Sequence, residues 1–115
     1  MTTNTACPCK KVLVTGSSGY VGNYILREVA KALPEAQCIG MSRSGRMRRG
    51  EKEIDKLRNV KYIVGDCLDE ETFREQLIDV DVIIHSVGQL FETKKYETSL
   101  KALNQDSCIN MARVL

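Results

Sequence analysis

At 115 residues the chain has the length of one domain. Its hydrophobic fraction of 43% and charged fraction of 28% are ordinary for a globular protein. A formal net charge of +2 is too small to imply nucleic acid or a membrane surface as the main partner. The longest apolar runs, such as VDVIIHSV, are strand-sized and fall far short of the roughly 20 residues that cross a bilayer.

Residues 1–10 read as a flexible tail. The opening MTTNTACPCKK holds no apolar signal-peptide core; it lacks acidic residues, as transit peptides do, but carries neither arginine nor an amphipathic pattern. The five cysteines, Cys7, Cys9, Cys38, Cys67 and Cys108, are an odd number without framework spacing, which argues for reduced thiols in an intracellular compartment. Cys7 and Cys9 form C-x-C, and the one histidine, His85, lies far off, so no metal site is expected.

Residues 11–115 read as one α/β domain. Lys11–Thr15 (KVLVT) is a β-branched run stopped by Gly16, a buried strand. From about Gly19 to Leu33, Val21, Ile25, Val29 and Leu33 make one helical stripe, which Pro34 ends. Ala36–Ser42 is the second strand. A basic segment with Gly45 and Gly50 then leads into a short helix near Glu51–Leu57. Val60–Gly65 is the third strand. Asp69 is placed to cap a following helix, with Glu70 and Glu71 in its first turn and Phe73 and Leu77 facing inward. Val80–Gly88 is the fourth strand. Leu100, Leu103, Ser107, Met111 and Val114 mark a last helix. Strands separated by helices predict a doubly wound parallel sheet of the Rossmann type with right-handed crossovers.

Gly16, Gly19 and Gly22 sit at three-residue intervals between the first strand and its helix. In that context the first glycine allows the tight turn, the second lets backbone approach a pyrophosphate, and the third lets helix pack closely on sheet. The phosphates would lie over the helix amino end. A phosphate loop of the Walker type is excluded, because no Gly-Lys-Ser/Thr follows. The alternative is a tight turn that holds no ligand.

VTGSSGYVG resembles the TGxxGxxG fingerprint of the extended and atypical short-chain dehydrogenase/reductases, the epimerase/dehydratase-like branch. Gly65-Asp66 at the third strand's end, the turn Ser86-Val87-Gly88, and LNQDSCINMARVL with Asn104 are similar to later motifs of that family. More narrowly, GMSRSGR, GDCLDEETF and DVIIHSVGQLFE resemble atypical members tied to ubiquinone biosynthesis and the nucleotide-binding accessory subunit of respiratory complex I. The resemblance implies strand order 3-2-1-4, a bound dinucleotide and a mitochondrial location, with the cytoplasm as the alternative. It places Gly16, Ser17, Ser18, Gly19, Tyr20, Val21 and Gly22 around the phosphates and Ser42 and Arg43 at the second strand's tip. Asp66 and Cys67 then fall near the adenine, and Ser86, Val87, Gly88 and Asn104 along the rest of the cofactor. Tyr20 is expected over the phosphates or ribose.

An acidic residue at the end of the second strand selects NAD, whereas an arginine suits a 2′-phosphate. The chain reads Met41-Ser42-Arg43-Ser44 there, with no carboxylate before Glu51. NADP(H) is therefore favoured, with NAD(H) as the alternative. Arg46, Arg48, Arg49 and Lys52 add positive charge nearby, but no aromatic residues interleave with them as RNA binding would ask. His85, inside an apolar strand, is expected to be packed and hydrogen-bonded; Cys67 and Cys108 are expected to be small core residues.

Short-chain reductases use a tyrosine with a lysine four residues later. Here Tyr96 is followed at that distance by Leu100, with Lys101 one position late, so no catalytic pair is expected. The family continues with further strands, so the pattern ends after a fourth βα unit, and the hydrophobic fourth strand is expected as an open edge for a partner or second copy. Three functions stay open: the cofactor-binding part of an oxidoreductase, a non-catalytic nucleotide-binding subunit of a larger assembly, and an RNA- or partner-binding module.

Overall fold

The computed structural model describes residues 9–45, 57–88 and 92–114. Four parallel strands, β1 (Lys11–Thr15), β2 (Gln37–Ser42), β3 (Val60–Val64) and β4 (Val82–His85), form one sheet in the order β3-β2-β1-β4. This is the order that the resemblance implied. β1 is central, its Val12 and Val14 buried on one face and Leu13 on the other, because successive strand residues point to opposite sides. That alternation explains why KVLVT is apolar throughout its middle: both faces are covered.

One face is closed by α1 (Tyr20–Ala32), whose Leu26 and Ala30 pack with Val12, Val14 and Cys38. Burying a leucine such as Leu26 contributes about 1.5–3 kcal/mol. The inward face is rotated from the expected stripe. Gly22, Asn23, Leu26 and Ala30 are buried, Ile25 and Val29 are partly so, and Val21 and Leu33 are exposed. Gly22 lies close against the Gly16 carbonyl on this buried side of the helix. At the carboxyl end Asn59 Nδ2 reaches the carbonyls of Ala30, Leu33 and Ala36 at 3.0–3.1 Å, tying the helix exit to the start of β3.

The other face holds Leu13, Ile39, Met41, Cys67, Phe73 and Met111. The helix expected after Asp69 is instead two short 3₁₀ turns, Glu70–Thr72 and Arg74–Leu77. Asp69 does accept from the Glu71 amide at 3.2 Å. Thr72 Oγ1, however, folds back onto the carbonyls of Asp66 and Asp69, and Phe73 leaves helical geometry at φ −131°, ψ −3° to bury its ring completely. Core burial of one aromatic thus overrides helical continuity. Leu77 packs partly buried against the same cluster.

The last helix is also irregular. Lys101–Asp106 is a π-helical stretch that passes into α2 (Ser107–Val114). Ser107 and Met111 face the sheet, as expected, but Cys108 is exposed, since the position after an inward residue turns away from the sheet. The short helix expected near Glu51–Leu57 and the basic residues Arg46, Arg48, Arg49 and Lys52 lie outside the described residues, as does Cys7. Among the described residues β4 pairs only with β1, which leaves it an edge, with Val82 43% exposed.

Candidate functional site

The carboxyl ends of all four strands open into one cleft of about 230 Å³. Gly16, Ser18 and Gly19 line it from the β1–α1 loop, Met41, Ser42 and Arg43 from β2, and Gly65 to Leu68 from the turn after β3. Ser86, Val87 and Gly88 follow β4, and Leu103 and Ser107 form the wall beside α2, with Glu97 at the rim. Such a crevice at the strand ends is where open α/β sheets take ligands.

The three glycines of the loop have three different surroundings. Gly16 has φ +69°, and a Cβ there would also stand 3.0–3.1 Å from Ser86 atoms. At Gly22 a Cβ would fall 2.1 Å from the Gly16 carbonyl oxygen and 2.6 Å from Ser86 Oγ, so only glycine lets α1 sit this close to β1 and β4. Gly19 differs. Its φ of −81° and ψ of 168° suit any residue, and an added Cβ would meet only Gly16 O, at an ordinary 3.4 Å. Among the described residues no atom demands a glycine at 19, and Gly19 lines the cleft. A cradle that a Cβ would fill, at the amino end of a 13-residue helix, fits an anionic ligand group resting on backbone.

The neighbouring tips are shaped by local hydrogen bonds. Ser42 Oγ accepts from the Gly45 amide at 2.9 Å, curling the chain so that exposed Arg43 stands at the cleft. Asp66 Oδ1 accepts from the Leu68 amide at 3.0 Å, an Asx turn that closes the β3 exit. Cys67 is buried beside it, and that burial, helped by Asp66, pushes its thiol up to about 12. It is therefore no nucleophile near neutral pH.

Beneath the cleft runs a polar chain. Thr15 Oγ1 lies 2.7 Å from His85 Nδ1, and His85 Nε2 lies 3.0 Å from Ser107 Oγ. His85 is thus packed and hydrogen-bonded, as expected. Tyr96 donates its hydroxyl to Asp106 at 2.5 Å, a bond to a carboxylate that raises its pKa. A general base needs the reverse shift. Lys101 Nζ is paired with the same carboxylate at 3.4 Å.

Of the residues assigned from sequence, Gly16, Ser18, Gly19, Ser42, Arg43, Asp66, Cys67, Ser86, Val87 and Gly88 line the cleft together. Ser17 does not: it is buried beneath, with its amide on Met41 O at 3.3 Å. Gly22 is consumed by packing, and Tyr20 and Val21 stand 68% and 61% exposed on the first turn of α1, not over the cleft. Asn104 is exposed next to Gly88, its Oδ1 3.2 Å from where a Cβ there would stand, just outside the lining. Met41, Gly65, Leu68, Glu97, Leu103 and Ser107 were not foreseen. Ser107 carried a usable signal, a hydroxyl inside an otherwise apolar helix stripe.

Residues 13–110 match the model of the 3-beta hydroxysteroid dehydrogenase/isomerase family. MIOREX complex component 2 of Saccharomyces cerevisiae is 27% identical over 92 residues, 78% of this chain and 32% of that protein. An isoflavone reductase-like protein of Olea europaea is 33% identical over 86 residues, 70% of this chain and 27% of that protein. The chain thus spans roughly a third or less of the curated relatives it matches. Among solved structures, L-threonine dehydrogenase of Clostridium difficile superposes with a TM-score of 0.69 at 26% identity, over 92% of this chain and 33% of the other. The dTDP-glucose 4,6-dehydratase of Bacillus anthracis, solved in complex with NAD, shares the fold with a TM-score of 0.73 at 16% identity, over 91% and 33%. With the glycine turn, the strand order and this match in agreement, the chain belongs to the 3-beta hydroxysteroid dehydrogenase/isomerase family of short-chain dehydrogenase/reductase-like proteins.

Proposed function

We propose that the cleft binds a nicotinamide dinucleotide, NADP(H) in preference to NAD(H), and that the chain is the cofactor-binding region of an oxidoreductase. Gly19 carries this reading: a glycine that no contact among the described residues requires faces a cleft at a helix amino end. Gly16, Ser18 and Gly19 would hold the pyrophosphate, and Ser42 and Arg43 the adenosine ribose and its 2′-phosphate. Asp66 and Cys67 would flank the adenine, and Ser86 to Gly88, with Asn104 beside them, the remainder. When bound, the cofactor supplies hydride transfer; the residues described here bind it, orient it and cover one side. The fold shared with an NAD-bound dehydratase supports the dinucleotide, and the arginine at the β2 tip supports the phosphorylated form.

Thermal shift with NADPH, NADH and no ligand is the direct test. A ligand at a hundred times its Kd stabilises by about 2.7 kcal/mol. NADPH should raise Tm more than NADH, and Arg43→Asp should reverse that order. If neither dinucleotide moves Tm, the cofactor reading is wrong; if Arg43→Asp leaves the ratio unchanged, the 2′-phosphate assignment is wrong.

A second reading, a non-catalytic nucleotide-binding subunit of a larger assembly, is favoured by one structural feature and one likeness. β4 presents an unpaired edge with exposed Val82, and the yeast relative is named as a component of the MIOREX complex. Light scattering after size exclusion tests the edge itself, since a monodisperse monomer argues against self-association at β4.

A further inference from the structure

The polar chain under the cleft has a definite proton direction. Ser107 Oγ donates to the Leu103 carbonyl at 2.7 Å, so toward His85 it can only accept, and the proton on the ring belongs to Nε2. Nδ1 is then the acceptor for the Thr15 hydroxyl at 2.7 Å, while Thr15 Oγ1 itself accepts from the Ser86 amide at 3.1 Å. Ser86 also donates its hydroxyl to the Thr15 carbonyl. Each donor meets an acceptor in one arrangement only, running from Ser86 through Thr15, His85 and Ser107 to Leu103. Both ends of the chain line the cleft, Ser86 on its floor and Leu103 with Ser107 on its wall.

A proton added at Nδ1 cannot be accommodated without rearrangement. Two N–H groups would then face Thr15 Oγ1, from Ser86 and from the imidazolium, and the Thr15 hydroxyl proton would lose its acceptor. Thr15 is fully buried, so water cannot take that role at its present position.

The charged groups on the elements around His85 do not offset this. Lys11 lies at the far end of β1, and Asp81, ahead of β4, accepts the amides of Lys10 and Lys11. On the π-helical stretch and α2, Asp106 is engaged by Tyr96 and Lys101, and Arg113 lies near the end of the helix. Glu97, at the cleft rim, and Asp66 and Arg43 are the charged groups among the described residues that line the cleft. Burial holds the imidazole below its ordinary 6.5.

We infer that His85 is a positioning residue: in its neutral Nε2–H form it ties the floor of the cleft to its wall, and protonation at Nδ1 releases that tie and loosens the cleft. Its bearing on ligand affinity rests on the dinucleotide reading above; the tie itself does not.

His85 is the one histidine of the chain, so its imidazole nitrogens give unambiguous NMR signals. A titration from about pH 8 to about pH 5 should show the Nε2–H tautomer at the alkaline end. The amides of Ser86 and of Leu103 to Ser107 should then shift with the same midpoint as the ring. NADPH affinity should fall with that midpoint, by up to about tenfold per pH unit if only the neutral form binds. His85→Gln should flatten this pH profile. The Nδ1–H tautomer at the alkaline end, or a ring that titrates while those amides stay still, overturns the inference. Absence of NADPH binding at every pH counts instead against the proposed function, and the ring and amide signals still decide the tie.

Discussion

Alanine at Gly22 and alanine at Gly19 should have opposite consequences, although both glycines belong to one motif. At 22 the new methyl would overlap the Gly16 carbonyl oxygen at 2.1 Å and its carbon at 2.7 Å, with Ser86 Oγ at 2.6 Å. Backbone cannot swing aside as a flexible side chain can. The helix must therefore shift off β1 and β4 at an overpacking cost of about 3 kcal/mol. For a domain of this size that corresponds to a fall in Tm of roughly 12 °C or more. At 19 the methyl would make one ordinary contact. Restricting the unfolded chain gains about 0.4–1 kcal/mol, and losing glycine at a helix N-cap costs about as much. Stability should stay within about 1 kcal/mol of the parent, while the NADPH-induced rise in Tm should disappear, because the methyl occupies the space the phosphates need. Thermal unfolding of both variants with and without NADPH checks the pair. A Gly22→Ala variant as stable as the parent would refute the packing argument, and a Gly19→Ala variant that keeps its NADPH response would refute the cradle.

Phe73→Ala empties the fully buried centre of the second core face and should cost about 3–5 kcal/mol in urea unfolding. Thiol labelling followed by mass mapping should modify exposed Cys108 rapidly and leave Cys38 and Cys67 unmodified until the chain unfolds, since burial both shields those thiols and raises their pKa. Asp81 is held below its ordinary pKa chiefly by the Lys10 and Lys11 amides. Its contribution is therefore present above the unfolded carboxylate pKa near 3.8 and is lost as pH falls through the lower folded value. Asp81→Asn should flatten that part of the acid unfolding curve. His85 carries the same sign for a different reason: half-buried and held below its ordinary pKa, it costs stability as pH drops below 6.5, where the unfolded ring takes up a proton first.

The sheet was legible in the linear pattern because each strand is a short apolar run bounded by glycine, proline or charge. β1 was expected at Lys11–Thr15 and is found there; β2 and β3 differ by one residue at an end. The glycines after β1 were equally legible as a tight strand-to-helix turn, since they sit at three-residue intervals after a buried strand. Periodicity failed where a single contact outweighed it. Phe73 is fully buried where the expected helix gives way to 3₁₀ turns, and α1 buries Gly22, Asn23, Leu26 and Ala30 rather than the face that Val21 and Leu33 suggested. Tyr20, in sequence the middle of the glycine loop, is exposed on the first turn of α1.

The amino-acid order by itself determined the layered α/β architecture with parallel strands and the glycine turn after β1, because these follow from local spacing of apolar residues and glycines, while the strand order was implied by the family resemblance. Only the tertiary structure decided which glycine faces the cleft and which merely lets helix meet sheet. It alone brought Thr15, His85 and Ser107, up to 92 positions apart, into one directed chain of hydrogen bonds. Those properties depend on distances between segments remote in sequence, which no short-range pattern encodes.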